Sequence, residues 1–446
     1  MDKHGSDLGV SFLDLSNLKE DERYLKEEAH RVARDILRPA AWQLDKMSPE
    51  ERVLESSPFH KAMAELKSLG YHRMFLPAEY GGPEEPLSAN AQASVLEELG
   101  WGSLGLATSF LVDTLPFLSI AFFGSEDLKE SVLRPWVEDE QGKFKGCWAI
   151  TEPDHGSDFL SLRQDGLDAP KGQLIAKEVD GGWLISGQKS AWVSSAPVAT
   201  HGAIHVQAGP LNDILHSFFA VIDLNGKGIK RSNPIQMLGV RDDPQGELFF
   251  DEVFVDEKNV LVAPTPLYPV FGDQLLCMTS AIISQVAVGL CRAAFEEALN
   301  NSRNRIQGGG PITRHKNIQL TLYSMFEKVE TARAYSRQVL NHVMESSPIS
   351  AKSGPGGFSF GASPRHTRTA QIYAKRCAFE VAHDAIQVSG AIGLSEESLV
   401  EKLFRDARCL LIEDGTLEVL GFDAVNDVIS NYEKSNYNIE EVMSKW

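Results

Sequence analysis

The run Cys147-Trp148-Ala149-Ile150-Thr151-Glu152-Pro153-Asp154-His155-Gly156-Ser157-Asp158 stands where the periodicity of the chain changes. Upstream, from Leu18 to Gly124, apolar residues recur three and four apart, as in Tyr24, Ala29, Val32, Ala33 and Ile36, which is the spacing of an amphipathic helix. Downstream, to about Val262, the period is two, and Leu174-Ile175-Ala176, Trp183-Leu184-Ile185, Ser217 to Leu224 and Leu248 to Val255 read as strands. Asp180-Gly181-Gly182 between two of these runs predicts a hairpin, because glycine reaches the positive φ of tight turns. Past Pro264 the helical period returns in Ile282 to Leu299, Ile318 to Met344, Thr367 to Val388 and Leu399 to Leu411. Ser346 to Pro364, rich in Ser, Gly and Pro, reads as an irregular connection.

Strands and helices segregated in this way predict an α+β architecture. It divides into an amino-terminal helical domain over 1–146, a middle β-domain over 147–264 and a carboxyl-terminal helical domain over 265–446. The same segregation argues against a Rossmann fold, and no G-x-G-x-x-G opens a helix after a strand.

The composition of the 446 residues, 43% hydrophobic and 24% charged, is that of a globular protein. A net charge of −19 would repel a phosphate backbone, so neither nucleic acid nor an anionic membrane is expected as a partner. Five cysteines lie singly, never as C-x-x-C, which fits a reducing cytoplasm and suggests neither a metal site nor a redox pair. Residues 1–7 show no apolar signal region. The apolar run Leu104 to Phe123 approaches bilayer length but carries Asp113 and Pro116, and reads as a buried helix interrupted near Pro116.

Three segments hold the residue types that do chemistry. Thr151 to Asp158 gathers hydroxyls and a permissive glycine that can aim donors at an anion or a heterocycle, or simply form a turn, with His155 as a surface histidine. Gly187 to Ser195 sets Trp192 between hydroxyls, where its indole stacks on a planar cofactor or fills a core. Leu403 to Thr416 predicts a helix running to Ile412, then Glu413, Asp414 and Gly415 as a left-handed cap. Carboxylates oppose the macrodipole at that end, so they either serve a function or form a solvated acidic turn.

These residues resemble the acyl-CoA dehydrogenases. The resemblance rests on T-E-P-x-x-G-S-D at Thr151–Asp158, G-x-K-x-x-W at Gly187–Trp192, and Phe250-Asp251-Glu252-Val253-Phe254-Val255 before Asn259-Val260-Leu261. Further along it rests on Q-x-x-G-x-x-G at Gln387–Gly393, and on R-D-A-R with D-G-T at Arg405–Thr416. It runs in order from about residue 20 to residue 432. The resemblance implies FAD between the β-domain and the carboxyl-terminal helices. Trp148, Ile150 and Thr151 would meet the flavin ring, Trp192 and Ser194 its dimethylbenzene side and reactive nitrogen, and Gly156 and Ser157 the FAD phosphate and the thioester ligand. Arg305, Gln387, Gly390 and Ala391 would reach the FAD of a partner subunit in a homotetramer, and Thr416 with Glu418 would flank its phosphates. The implied reaction removes the proton beside an acyl-CoA carbonyl as hydride passes to the flavin, with the Asp414 N–H at the thioester oxygen and an electron-transfer flavoprotein as acceptor.

Several residues depart from the family pattern. Its catalytic glutamate falls on Asp414, one methylene shorter, and a base about 1 Å out of place can lose on the order of 100-fold in rate. Glu413 is a poor substitute, because adjacent side chains do not share a face. The alternative family position for the base, at Thr279-Ser280-Ala281, holds no carboxylate. Arg305-Ile306-Gln307-Gly308-Gly309 and Lys316 also differ from the family pattern, which implies a rearranged adenosine contact. Asp113 could bind a polar acyl group, take a second proton in the 1,4-dehydrogenation of a cyclic enoyl thioester, or cap a helix restarting near Pro116. A cyclic, branched or aromatic-derived acyl-CoA is therefore expected. The alternatives are a flavin oxidase or monooxygenase of the nitroalkane oxidase kind, which also resembles this family and uses an aspartate in that place, and a non-redox thioester lyase or binding protein with structural FAD.

Overall fold

The computed structural model describes residues 18–160, 172–209, 216–265, 267–346 and 362–434; residues 1–17 and most of the Ser346 to Pro364 connection lie outside them. The longer helices of the first third are α1 (Glu20–Val32), α2 (Pro58–Ser68), α3 (Ala89–Gly102) and α4 (Leu104–Phe123). Ser88 and Ser103 cap α3 and α4, their hydroxyls accepting the N–H of Ala91 and of Leu106 at 3.1 Å each.

Helix α4 is unbroken, contrary to the interruption expected near Pro116. An interior proline costs about 3 kcal/mol in an isolated helix, but α4 is buried on nearly every side and tertiary packing holds it together. The first strand passes directly over it: a side-chain carbon on Gly146 would stand 2.2 Å from the Asp113 carbonyl oxygen and 2.8 Å from Pro116 Cδ.

The middle third is a mixed sheet of β1 (Gly146–Ala149), β2 (Ile175–Val179), β3 (Gly182–Ser194), β4 (His201–Gln207), β5 (Ser217–Asp223), β6 (Ile229–Arg231), β7 (Gln245–Asp256) and β8 (Val260–Val262). Its strand order is β6-β7-β3-β2-β4-β5-β8, with β1 parallel to β4 off that path. The expected hairpin joins β2 to β3, with Val179 paired to Gly182 and Gly181 at a φ of 77°. Ile185, Val206, Phe218, Leu248 and Phe250 form the core of this unit.

The last third holds α5 (Leu267–Asn304), α6 (Lys316–Ser346), α7 (Pro364–Ser389), α8 (Leu399–Leu410) and α9 (Leu417–Lys434). Among the described residues two helices, α4 and α5, are apolar and long enough to cross a bilayer, yet 67% and 83% of their most apolar windows are buried inside the protein, as in core helices. The two helical thirds share one core, in which Leu96 and Leu99 meet Val286, Leu290 and Ala378. Glycine makes this possible where α3 crosses α5: a side-chain carbon on Gly100 would lie 2.2 Å from the Val286 carbonyl oxygen, and one on Gly289 2.1 Å from that of Glu97. The close crossing brings Glu97 to within 2.6 Å of Arg292 and 2.9 Å of Arg333, all buried.

Candidate active site

Where β1, α4, α5 and α6 meet, they enclose a cavity of about 110 Å³. Its walls are Leu111, Val112 and Phe122 from α4, Met278 and Ile282 from α5, and Leu340 and Val343 from α6, with Trp148 and Asp414 also lining it. Asp414 is the one ionisable side chain among the described residues that line it. Of the four lining hydroxyls, those of Thr114, Ser119 and Thr279 donate back to the carbonyls of Leu111, Leu115 and Leu276, at 2.7, 2.8 and 3.2 Å, and that of Thr108 alone has no protein partner. The surface they present is therefore largely hydrocarbon.

Trp148 is fixed from behind. Its indole N–H donates to His205 Nε2 at 3.0 Å, and His205 Nδ1 lies 2.6 Å from the Tyr268 hydroxyl. Burial holds His205 well below the usual histidine range, so the imidazole is neutral, accepts at Nε2 and carries its proton on Nδ1.

The segment that carries Asp414 is a turn rather than the helix end expected from the sequence. Helix α8 stops at Leu410, and the N–H groups of Ile412 and Glu413 both return to the Cys409 carbonyl. The left-handed conformation expected of Gly415 begins one residue earlier: Asp414 has a φ of 52° and Gly415 one of 95°. Aspartate tolerates this region better than most residues, at a cost of about 1–3 kcal/mol that surrounding contacts must offset. Those contacts come from α7, where Gln371 Nε2 donates to the Asp414 carbonyl at 3.0 Å and Lys375 Nζ to the carbonyls of Glu413 and Gly415.

Asp414 is exposed towards the cavity, yet the protein packed around it raises its pKa; desolvation is the larger influence and Lys375 opposes it. Glu413 points elsewhere, its Oε1 accepting from Gln245 Nε2 at 3.3 Å. The same amide reaches Asp243 Oδ2 at 3.1 Å, and Asp243 also accepts from Ser109 and Ser194 at 2.6 Å each. Burial, with repulsion from Asp243 and Asp414, pushes Glu413 up to about 8, and burial pushes Asp243 up to about 6.

The residues singled out in the sequence fall into two groups. Ser157 Oγ accepts the N–H of Thr416, the residue before α9, at 3.2 Å, tying the β-domain loop to the carboxyl-terminal helices beside Asp414. Thr151 Oγ1 lies 2.6 Å from Ser190 Oγ, and beyond Gly156 the space is open. Trp192 on β3 is 61% exposed, so it fills no core. Ser194 commits its hydroxyl to Asp243. Ile150 follows β1, its carbonyl accepting from Lys189, and Glu418 lies exposed in the first turn of α9. His155 bonds Asp158 at 2.7 Å, as a loop histidine does.

The second group lies at the ends of α5 and α7. Arg305 donates to the Ser389 carbonyl, Gly390 has a φ of 68°, and Gln387 and Ala391 are exposed. Asp113 joins neither group. It lies mid-helix, so it caps nothing, and it is absent from the cavity wall: its Oδ1 accepts the Gly146 N–H at 2.8 Å and its Oδ2 lies 2.9 Å from Lys67 Nζ. A buried carboxylate needs a cation and donors, and Lys67 with Gly146 supplies them.

Lys375, Gln371, Lys67 and Asp243 escaped the sequence reading. One signal was available for the first two: spaced four apart, they share the face of α7 that also carries the buried Ala374, Ala378 and Ala382.

Known proteins match this arrangement along most of the chain. The acyl-CoA dehydrogenase N-terminal domain matches residues 19–140, the middle domain 147–253 and the C-terminal domain 276–424. Benzylmalonyl-CoA dehydrogenase of Aromatoleum aromaticum is 28% identical over 420 residues, covering 93% of this chain and 99% of its own. Cyclohex-1-ene-1-carbonyl-CoA dehydrogenase of Syntrophus aciditrophicus is 27% identical, covering 91% and 89%. Among solved structures, an acyl-CoA dehydrogenase from Bacillus anthracis complexed with FAD superposes with a TM-score of 0.81 at 18% identity, covering 96% of this chain and 70% of that one. With three successive domains matched in order, the chain belongs to the acyl-CoA dehydrogenase family of oxidoreductases.

Proposed function

We propose that this protein is an FAD-dependent acyl-CoA dehydrogenase acting on an uncharged cyclic or branched acyl group, with Asp414 as the base that takes the α-proton. The observation that carries this reading is the placement of Asp414 as the sole described ionisable side chain on an otherwise apolar cavity. Desolvation raises the pKa of its carboxyl and so strengthens the carboxylate as a base. Trp192, exposed beside the Thr151 and Ser190 hydroxyls, and the open space over Gly156 suit a planar ring with a phosphate-bearing tail. FAD bound there would supply a hydride acceptor. The chain's own part is to hold the acyl group against Trp148, exclude water with Leu111, Phe122 and Met278, and take the proton on a carboxylate oxygen of Asp414.

The uncharged acyl group follows from the walls. A second carboxylate of the benzylmalonyl kind would be desolvated against hydrocarbon with no described cation lining the cavity, a penalty of several kcal/mol. A cyclohexenyl ring meets no such penalty. The cavity, about 110 Å³, is of the order of the engineered apolar cavity of about 150 Å³ that takes benzene.

Anaerobic mixing of the FAD-loaded protein with cyclohexanecarbonyl-, cyclohex-1-enecarbonyl-, isobutyryl-, glutaryl- and benzylmalonyl-CoA tests the reading. Uncharged thioesters should bleach the oxidised flavin band and carboxylated ones should not. Bleaching led by glutaryl- or benzylmalonyl-CoA would refute the acyl class, and bleaching by none would refute dehydrogenation. Rapid reoxidation by oxygen with peroxide release would instead select an oxidase.

Electrons would then pass to an electron-transfer flavoprotein, which reduction of that protein on mixing would test. A homotetramer is also part of this reading. It is supported by the apolar side chains that α9 exposes, Phe422, Val425, Val428 and Ile429. Light scattering should report four chains of 49.1 kDa.

A further inference from the structure

Three consecutive carbonyls bracket the proposed base, and two side chains of one helix hold all three. Lys375 Nζ donates to the carbonyls of Glu413 and Gly415, the latter at 3.2 Å, and Gln371 Nε2 donates to that of Asp414 at 3.0 Å. Spaced four apart on α7, the two project from one face. Lys375 is 0% and Gln371 1% exposed. The segment they hold lies between the end of α8 and the start of α9, so no helical ladder fixes its peptide planes.

We propose that Lys375 and Gln371 are positioning residues that set the reach of Asp414 by clamping the backbone on both sides of it. The inference rests on the reading of Asp414 as base and extends it. An aspartate has one methylene less than a glutamate with which to find the α-proton, so its placement depends more heavily on where its own Cα stands. With φ at 52°, rotation of the 413–414 or 414–415 peptide would swing the carboxylate away from the cavity. Each such rotation must break a bond to Lys375 or Gln371. A buried ammonium that spends its donors on backbone carbonyls also leaves its charge to act on the carboxylate by field, favouring the ionised base.

The charged and titratable groups around Lys375 are Asp414 and Glu413 on the turn and Arg368 on its own helix. Asp243 stands behind Glu413, and Arg368 is itself paired with Asp423 of α9 at 2.8 Å and Asp273 of α5 at 3.7 Å. Burial pulls Lys375 down to about 8 while Asp414 and Glu413 push it upward. Removing the ammonium therefore takes away the one charge that favours the ionised form of Asp414 and leaves Glu413 as its neighbour.

The test uses the full-length, FAD-loaded protein and its Lys375→Met and Gln371→Leu variants. Its readouts are the rate of anaerobic flavin reduction, KM, the pH profile, and exchange of the acyl α-deuteron with solvent. Gln371→Leu should lower kcat and the exchange rate about tenfold, the effect of one lost hydrogen bond of about 1.4 kcal/mol, with KM and the acid limb of the profile unmoved. Lys375→Met should lower both rates by the order of 100-fold that a displacement of about 1 Å costs, and should move the acid limb to higher pH. A merely structural lysine would lower the yield of folded protein without moving that limb.

Folded variants with the parent's kcat, exchange rate and pH profile would overturn the clamp. Should Lys375→Met fail to fold, Gln371→Leu decides alone, and parental kcat in that variant refutes the proposal. Failure of the underlying reading looks different: Asp414→Asn would itself remain active.

Discussion

Lys67 Nζ on α2 stands 2.9 Å from Asp113 Oδ2 on α4, and this pair accounts for the lone carboxylate inside the most apolar run of the chain. The other oxygen of Asp113 holds the first residue of β1, so one side chain links two helices and the sheet. Lys67→Met leaves that carboxylate buried without its cation and should cost about 3–5 kcal/mol in chemical denaturation. Asp113→Asn should leave flavin reduction per folded molecule unchanged. A large fall in kcat in a folded Asp113→Asn protein would place the residue back at the substrate.

Asp414→Asn should bind FAD as the parent does and lose flavin reduction by about 100- to 10,000-fold, the range that general base catalysis contributes. Asp414→Glu moves the carboxylate about one methylene further into the cavity and should shift preference towards smaller acyl groups. Comparison of kcat/KM across the thioester panel checks both, and undiminished activity in the Asn variant excludes Asp414 from the chemistry.

The pH dependence follows from the direction of each shift. With the Asp414 carboxylate as the proposed base and its pKa raised, kcat/KM should climb with pH through an inflection above the ordinary aspartate value of about 3.9. Glu413 acts on stability instead. Raised to about 8, it keeps a proton in the folded chain that the unfolded chain releases above about 4.3. Its contribution is therefore present at low pH and is lost as pH rises through about 8. Glu413→Gln should gain on the order of 1–3 °C in Tm at pH 9 relative to the parent and little at pH 5, which differential scanning calorimetry at the two pH values would measure.

Trp192 is an exposed indole on β3, proposed above to meet the flavin. Trp192→Ala should leave the Tm of the FAD-free protein unchanged and weaken FAD binding by roughly tenfold, the scale of one lost stacking contact. Titration of the stripped protein with FAD would show it, and an unaltered Kd would remove Trp192 from the cofactor site.

Local patterns carried much of this protein. The change from helical to alternating period at residue 147, the Asp180-Gly181 hairpin and the motifs at 151–158, 187–192, 387–393 and 405–416 are legible because each is written in neighbouring residues. The proposal of Asp414 as base has the same origin, its place beside Gly415 and Thr416. What sequence could not supply were relationships between distant positions. Ser157 meets Thr416 across 259 residues, Lys375 meets the carbonyls beside Asp414 across about 40, and Asp113 finds Lys67 on another helix. Pairing of a buried charge is settled by what packing brings within about 3 Å, and periodicity shows only that a residue faces inward, not what it faces. For the same reason α4 runs straight through Pro116: the local penalty was readable from the chain, and the strand packed over it, which outweighs that penalty, was not.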